Sequence, residues 1–430
     1  MKQRGDEVAA AVLAGGKEKL PEDDLREIAG VPVVTGEDPR TVLASAIKRY
    51  EPDLVADLSD EPVLDYRRRL QMASVSISMG VPYHGADFRL MPPPRPRLCV
   101  RPSIGVIGTG KRTGKTAVAG FVARTLVQAG IPPVVVAMGR GGPAEPEVLR
   151  GDELELRAED LIALADDGAH AASDYIEDAA LGRVPTVGCR RCGGGLAGGI
   201  EFSNVAAGIG KANELPGELI MLEGSGSSIP PAHADATVLI APSTVPEEHL
   251  VGYMGPFRLL LADVAMITMC DDPNGSPSKV SSLIRDAFRI RDGAGGLPQE
   301  EIQVVRTIFR PHPIRPIDGA EVFVATTAPA HAAGSIRRHL EENYDCTVKG
   351  ITHSLSDRPK LRSEIEHMAD QSDLLLCEIK AAAIDVAARQ ALDAGLEVVF
   401  MDNVPEGIDG DDAEAAVHQL AGIAKERFAL

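Results

Sequence analysis

The stretch that decides the fold is Gly108-Thr-Gly-Lys-Arg-Thr-Gly-Lys-Thr116, which stands between an apolar run at 104–107 and a helical pattern at 116–129. A glycine-rich loop between a strand and a helix directs backbone N–H groups and the helix dipole toward phosphate oxygens. In such loops a lysine placed like Lys115 reaches the β- and γ-phosphates, and a threonine placed like Thr116 binds Mg²⁺. The stretch therefore predicts an ATP-binding phosphate loop.

The loop departs from the usual Gly-x4-Gly-Lys-[Ser/Thr] spacing, because Thr109 stands where the first glycine is expected and the glycine is one residue earlier. Lys111 and Arg112 bring two more cations to the loop, and with Lys115 they are predicted to be catalytic. A glycine-rich turn with solvated lysines is the alternative, which the order strand, loop, helix disfavours. The residues predicted to bind the nucleotide here are Gly108, Thr109, Gly110, Thr113, Gly114, Lys115 and Thr116.

Composition limits the partners of the protein. The chain has 430 residues, 44% of them hydrophobic, and a formal net charge of −19 at pH 7. Such a charge repels nucleic acid and anionic membrane surfaces at long range. Aromatic residues make up only 3% of the chain, which leaves little material for base stacking. We therefore expect neither partner, and any anionic ligand has to be held by a local basic pocket.

The cysteines and the apolar runs indicate where in the cell the protein is expected. Six cysteines, at 99, 189, 192, 270, 346 and 377, do not make a disulfide framework, which favours a reducing cytoplasm. The apolar run at 8–14 is short and is soon followed by charged residues, so no signal peptide is expected. Uncharged apolar stretches of about 18 residues are lacking, so we expect no membrane span.

Apolar runs that alternate with helical patterns predict an α/β fold. Residues 1–90 predict a small Rossmann-like α/β domain. The stretch Met91-Pro-Pro-Pro-Arg-Pro-Arg97 can continue neither a helix nor a central strand, so 91–99 is predicted to be a Pro-rich linker. Residues 100–430 predict a doubly wound, mostly parallel sheet that forms the P-loop catalytic domain, with 320–430 as a candidate C-terminal lobe. Its strands are predicted at 104–107, 134–138, 219–222, 238–241, 264–269, 302–308, 322–325, 348–352, 374–377 and 397–400.

Two strand ends carry polar residues beside the predicted loop. The run at 219–222 leads into Glu223-Gly-Ser-Gly226, and a carboxylate at this edge stands where a metal-bound triphosphate needs one. Glu223 is therefore predicted to bind the metal together with Thr116, or to orient water. A glutamate that only ends a strand is the alternative. Thr268 and Asp271, at another strand end, are expected near the nucleotide base.

The stretch Gly188-Cys-Arg-Arg-Cys-Gly-Gly-Gly195 predicts a second anion site. Arg190 and Arg191 offer forked donors that match phosphate, and Gly193 and Gly194 let backbone N–H groups approach it. A zinc site needs four ligands, and no second pair of ligands lies nearby in the sequence. Zinc shared across a dimer, a redox dithiol and a flexible loop with solvated arginines remain alternatives.

Further polar residues extend the predicted substrate site. Arg140 follows the run at 134–138, at the edge where open α/β sheets bind ligands. His170 and Asp174 share a helical spacing, for which a solvated helix face is the alternative. Arg310 belongs to a basic, proline-interrupted stretch that also fits a surface loop.

The segments GVIGTGKRTGKTAV (105–118), VVVAMGRGGPAEPE (134–147), GRVPTVGCRRCGGGLAGG (182–199) and LIMLEGSGSSIPP (219–231) together resemble the cyclic 2,3-diphosphoglycerate synthetase family. The resemblance covers nearly the whole chain. The loop spacing and Glu223-Gly-Ser-Gly226 are also similar to dethiobiotin synthetases. Family members have an additional strand before an Ala-Gly-Gly-x-Glu-Lys-Leu segment, and this chain starts almost at that segment. The resemblance therefore implies either a shortened N-terminal domain or a start site set late.

The resemblance implies a cytoplasmic, homodimeric ligase that uses ATP and Mg²⁺. It would close an intramolecular phosphoanhydride in 2,3-diphosphoglycerate and release ADP and phosphate. Lysines and arginines would then offset the repulsion between two polyanions. The alternatives are another P-loop phosphotransferase or ligase acting on a phosphorylated small molecule, such as a phosphoglycerate kinase, and a nucleotide-switched regulatory ATPase.

Overall fold

The computed structural model describes residues 5–14, 30–153, 157–166, 174–293, 302–380 and 383–430. Its N-terminal part holds short strands and two longer helices. These elements are β1 (Ala11–Val12), β2 (Val33–Val34), α1 (Pro39–Tyr50), β3 (Val55–Ala56), α2 (Tyr66–Ser78), β4 (Tyr83–His84) and β5 (Arg89–Leu90).

The N-terminal strands belong to two separate small sheets. Strands β1 and β2 pair in parallel, whereas β3, β4 and β5 form a second sheet in which β4 and β5 are antiparallel. Helices α1 and α2 begin after Asp38 and Asp65, whose carboxylates accept backbone N–H groups of the first turn. Residues 91–99 contain neither helix nor strand. The Rossmann-like character of this segment stays a prediction.

The middle of the chain alternates strands and helices. Its elements are β6 (Ser103–Gly108), α3 (Lys115–Gln128), β7 (Pro133–Gly139), β8 (Glu147–Arg150), α4 (Ala158–Asp166), α5 (Asp174–Gly182), β9 (Pro185–Cys192), β10 (Phe202–Ser203), α6 (Val205–Glu214), β11 (Leu219–Glu223), β12 (Ala236–Pro242), α7 (Glu248–Val251), α8 (Gly255–Leu261), β13 (Val264–Thr268) and α9 (Pro277–Gly293).

The C-terminal part continues the same alternation. Its elements are β14 (Gln303–Pro313), β15 (Glu321–Ala325), a 3₁₀ turn (Ala330–Ala332), α10 (Ala333–Asn343), β16 (Thr347–Thr352), α11 (Arg358–Met368), a second 3₁₀ turn (Ala369–Gln371), β17 (Leu374–Glu378), a π-helical turn (Ala383–Ala388), α12 (Arg389–Asp393), β18 (Glu397–Gly407) and α13 (Ala413–Phe428).

One large sheet joins the middle and C-terminal parts. Among the described residues it has thirteen strands, in the order β10-β9-β7-β11-β6-β12-β13-β14-β18-β17-β15-β16, with β8 paired to β9. Strands β7, β11, β6, β12 and β13 run parallel, so their carboxyl ends lie along one edge. This confirms a mixed α/β fold with a large, mostly parallel sheet, and it places the phosphate loop at the interior strand β6.

Strand β14 is longer than predicted. It pairs in parallel with β13 through Arg306 and then pairs antiparallel with β18 from Thr307 to Pro313. Within the described residues its ladder with β13 ends at Arg306, so Pro311 and Pro313 face an open side where a missing N–H is tolerated. The basic stretch is therefore a strand and not a surface loop.

Helices cover both faces of the sheet. On one face, α3, α5 and α13 enclose a core that continues into the C-terminal strands. On the other, α1 and α2 pack against α8 and α9 through buried residues that include Leu43, Ile47 and Phe257. The N-terminal part is thus joined to the sheet by an apolar interface. None of the helices in the described part of the chain has the length and apolar character that crossing a membrane requires.

The phosphate loop ends at Gly114, which precedes α3 with φ of 82°. A Cβ atom at this position would lie 2.4 Å from Cζ of Phe309, a residue of β14. Glycine is therefore required for two reasons, namely a left-handed backbone and the close approach of an aromatic ring.

We expect Gly114→Ala to lower the free energy of unfolding by about 1–3 kcal/mol, because alanine is strained at this φ and its methyl group meets the Phe309 ring. Urea denaturation measures this. Gly110→Ala is the matched control, since nothing lies within 4 Å of a Cβ at that position. Equal losses for the two variants would contradict the packing argument.

Candidate active site

A buried ion pair lies where the phosphate loop meets the neighbouring strand. Lys115 Nζ donates to Glu223 Oε1 at 2.5 Å, and the two side chains are 8% and 1% exposed. Glu223 ends β11 in register with Val106 of β6, so the parallel pairing places it beside the loop. Burial would lower the pKa of Lys115, but the charges of Glu223 and Asp174 raise it, and the ammonium stays protonated.

Helix α5 adds three carboxylates to this pair. Asp174, Glu177 and Asp178 stand at helical spacings of three and four, so one face of the helix carries them. Burial raises the pKa of Asp174, and the charge of Glu223 raises it further. Burial likewise raises the pKa of Glu177 to about 8. The same two causes, burial and Glu223, raise the pKa of Asp178.

The cluster has oxygens that fit a divalent cation. Glu223 Oε2 and both carboxylate oxygens of Asp178 are buried and have no hydrogen-bond partner among the described residues. An unpartnered buried carboxylate is unfavourable, and a cation offsets that cost. In the described ranges no group of three or more His, Cys, Asp or Glu side chains forms a metal site by itself. Magnesium commonly takes one or two carboxylates and leaves its other positions to phosphates and water, so this donor set fits Mg²⁺.

The C-terminal part reaches the same cluster. Lys380 Nζ lies 3.5 Å from Glu177 Oε1. Glu378 accepts hydrogen bonds from Thr326, Thr327 and Asn403, which fix the strand end that precedes Lys380. Burial would lower the pKa of Lys380, but Glu177, Glu378 and Asp402 raise it. From the sequence alone, the only signal for Lys380 is a polar residue after the buried run at 374–377.

A basic group lies on the other side of the loop. Arg191 is buried and donates to Gly193 O at 3.0 Å and to Ser225 O at 2.9 Å. A Cβ atom at Gly226 would lie 3.5 Å from Lys111 Cγ and 3.9 Å from Arg191 Nη2, so both side chains pass beside that glycine. Burial lowers the pKa of Arg191, and the nearby charge of Arg140 lowers it further. The structure thus brings together cations from three separate segments.

The two arginines of the Cys-x-x-Cys segment point apart. Residues 185–192 form strand β9 rather than a loop, so neighbouring side chains alternate between its faces. Arg191 is buried, whereas Arg190 is exposed and donates through Nε to Gly142 O. Its backbone N–H donates to Asn204 Oδ1 at 2.7 Å. The single cradle expected from adjacent arginines is therefore two separate positions.

The cysteines of this segment are separated for the same reason. Cys189 is buried and Cys192 is exposed, and both are free thiols. Three residues apart on one strand, they face opposite sides and cannot share a metal ion or a disulfide within one chain. Burial also raises the pKa of Cys189 to about 12, which makes it a poor redox thiol.

Two residues expected near the nucleotide base have other partners. Thr268 is fully buried and donates through Oγ1 to Thr113 O at 2.7 Å, so it holds the loop backbone. Asp271 is exposed and pairs with Arg310 Nη1 at 3.2 Å. His170 lies outside the described residues.

Arg258 is a buried residue near the site that no sequence motif indicates. It is buried and donates to Ser227 O at 2.9 Å and to Leu196 O at 3.3 Å. Burial lowers its pKa to about 10. Arg258 thereby ties the glycine-rich segment after β9 to the segment after β11, and no local sequence pattern marks it.

Comparison with known proteins covers nearly the whole chain. Residues 1–91 match "Cyclic 2,3-diphosphoglycerate synthetase, N-terminal domain", residues 103–295 match the P-loop domain and residues 313–404 match the C-terminal domain of the same description.

The chain belongs to the cyclic 2,3-diphosphoglycerate synthetase family.

Relatives that carry the family's name are similar over most of their length. The protein from Methanothermus fervidus is 42% identical over 427 residues, which cover 96% of this chain and 91% of the relative. The protein from Rubrobacter xylanophilus is 45% identical over 410 residues, 95% of this chain and 90% of the relative. The protein from Thermococcus kodakarensis is 42% identical over 415 residues, which cover 96% of this chain and 93% of the relative. These matches confirm the family resemblance seen in the sequence.

We expect Glu177→Gln to flatten the pH dependence of stability. The pKa of Glu177, about 8 when folded, lies above its ordinary 4.5, so the folded chain holds a proton that the unfolded chain releases. That contribution is present at low pH and is lost as the pH rises from about 5 to about 8. Urea denaturation across this range measures it.

The matched control is Glu214→Gln, an exposed carboxylate near the end of α6. It should leave the pH dependence unchanged. A Glu177→Gln protein that loses as much stability between these pH values as the parent would show that Glu177 does not hold the proton.

Proposed function

We propose that this chain catalyses ATP-dependent closure of 2,3-diphosphoglycerate to cyclic 2,3-diphosphoglycerate, with release of ADP and phosphate. Support comes from relatives named for this synthetase that match 95% or more of the chain. One observation carries the proposal. The phosphate loop, through Lys115, and the basic group around Arg191 both lie beside one carboxylate cluster. A phosphoryl donor and a phosphorylated acceptor need such a pair of adjoining cationic regions.

The reaction joins two phosphates that repel each other. In the first step an oxygen of one substrate phosphate attacks the γ-phosphorus of ATP, a P–O bond forms and ADP leaves. In the second step an oxygen of the other substrate phosphate attacks the substrate's own phosphorus in the diphosphate formed in the first step. The ring P–O–P bond forms, the bond to the transferred phosphoryl group breaks, and that group leaves as inorganic phosphate. Phosphate oxygens are already anionic nucleophiles, so the main demands are charge compensation and alignment.

The residues of the site divide between these demands. We propose that Lys111, Arg112 and Lys115, with the loop backbone from Gly108 to Thr116, bind the ATP phosphates. When the phosphates arrive, they compete with Glu223 for the Lys115 ammonium. This exchange keeps the lysine charged in both states, since its raised pKa depends on an anionic neighbour.

The acceptor is proposed to lie against the basic group beside the loop. Arg191 and Arg140 are its central cations, and Gly193 and Gly194 supply backbone N–H groups without bulk. Arg190, on the opposite face of β9, and Arg310, paired with Asp271, stay predicted contacts. The predicted contacts of Asp174 with substrate and of Thr268 and Asp271 with the base also stay predictions.

Glu223 and Thr116 are proposed to hold Mg²⁺, and Asp178 joins them because of its unpartnered buried oxygens. The ion supplies charge neutralisation at the phosphate oxygens when it is bound. Around it, Lys115 and Lys380 balance the carboxylates of the cluster.

A homodimer and a cytoplasmic location stay predictions, supported by the family resemblance and by free thiols at all six cysteines. Light scattering on the purified protein tests the dimer directly.

We expect ³¹P NMR of the protein with Mg-ATP and 2,3-diphosphoglycerate to show new anhydride resonances from the acceptor. They should grow together with ADP and free phosphate in equal amounts. Lys115→Met keeps the length of the side chain but removes its charge, so turnover should fall by at least about 100-fold. ADP formation with an unchanged acceptor would contradict the proposed reaction.

We expect Arg191→Ala to raise KM for 2,3-diphosphoglycerate by about tenfold or more and to change KM for ATP by less than about threefold, because a charged hydrogen bond to the acceptor is lost. Steady-state kinetics with each substrate varied measures this. Arg191→Lys should recover part of the loss. Arg150→Ala is the control, since this guanidinium pairs with Asp152 away from the loop. Equal effects on both substrates would contradict separate sites for donor and acceptor.

A further inference from the structure

A cavity separate from the phosphate loop lies against the second half of α3. Its volume is about 340 Å³, and its walls come from α3, the end of α5, strands β14 and β18 and the start of α13. Arg124, on its wall, is nine residues after Lys115, which is about 13 Å along the helix axis. The charged side chains of the wall are Arg124, Arg157, Arg183, Arg315, Asp402 and Glu414.

The charge of this cavity is opposite to that of the protein. Its wall carries four arginines and two carboxylates, and Glu397 lies 3.5 Å from one of these arginines, whereas the whole chain carries a formal charge of −19. Charges of one sign concentrated in a concave wall attract small counter-ions. The excess of positive charge in the cavity is therefore a local feature that the composition of the chain does not explain.

Arg183, on this wall, has an unusual backbone conformation. It follows Gly182, the last residue of α5, with φ of 51°, a left-handed conformation that glycine usually supplies at this place. Among the described residues its guanidinium group has no hydrogen-bond or ion-pair partner, and the side chain is exposed. The Arg183 backbone N–H donates to Ala179 O at 3.2 Å, so the arginine has a strained backbone and a side chain with no polar partner among the described residues.

Two other arginines are held in place by partners behind them. Arg124 pairs with Asp402 and donates to Leu181 O at 3.1 Å. Arg315 donates to Val398 O at 2.7 Å and lies 3.5 Å from Glu397. Both side chains remain partly exposed, 27% and 31%. A guanidinium that is fixed on one side offers its remaining donors in a preset direction, which suits phosphate.

We propose that this cavity is a second anion site, which binds a small phosphate-bearing ligand with two or more negative charges. The volume of the cavity suits a small metabolite rather than a whole nucleotide with its base. The cavity also connects to the active site, since Asp402 is paired with Arg124 and lies next to Asn403, which donates to Glu378 at 2.9 Å. The proposal does not depend on which reaction the phosphate loop supports.

The test is isothermal titration calorimetry with inorganic pyrophosphate on the full-length protein saturated with ADP. Two sets of sites are expected, one at the acceptor position and one in the cavity. Arg191→Ala should weaken only the first set. Arg183→Gly and Arg315→Ala should each weaken only the second set, by about tenfold or more.

Arg183→Gly separates loss of binding from loss of folding. Glycine fits the left-handed backbone, so the thermal midpoint of this variant should not fall below that of the parent. Arg338→Ala, which removes an exposed arginine on α10, controls for net charge and should leave both sets unchanged. A single set of sites that only Arg191→Ala weakens would overturn the proposal, and so would equal weakening by Arg338→Ala.

Discussion

The site depends on the buried contact between Lys115 and Glu223. Taking two opposite charges out of water is unfavourable unless each has a close partner, and these two groups meet at 2.5 Å because β6 and β11 are neighbours in a parallel sheet. Around this contact, α5 contributes further carboxylates and the C-terminal part contributes Lys380. Each added charge changes the protonation of the others, so the cluster titrates as one unit.

Local signals explain why much of the fold could be predicted. Strand β6, the phosphate loop and α3 follow one another in the sequence, and the buried parallel strands read as continuous apolar runs. Glu223 could be predicted as a site residue for the same reason, since it ends such a run. The short N-terminal strands, two residues each, carry too little pattern to fix how they pair.

Other parts of the site depend on contacts between distant segments, which a local pattern does not contain. The glycines after Arg190 and Arg191 favour a single loop, and only the strand geometry of β9 shows that the two side chains face apart. Glu177 and Asp178 resemble a solvated helix face until α5 is seen packed toward Glu223. Arg258 lies in a segment with no recognisable motif, and Lys380 is marked only as a polar residue after a buried run. Tertiary packing brings both to the site.

Strand β14 has a mechanical consequence. Its first half pairs with β13 and its second half with β18, so one continuous ladder connects the strands around the phosphate loop to the C-terminal strands. Its Phe309 ring also packs against Gly114 of the phosphate loop. A hinge between the two parts would have to break several backbone hydrogen bonds at once, which makes large rotation costly. Any rearrangement at the strand ends therefore falls to the loops, because the sheet beneath them is held as one rigid unit.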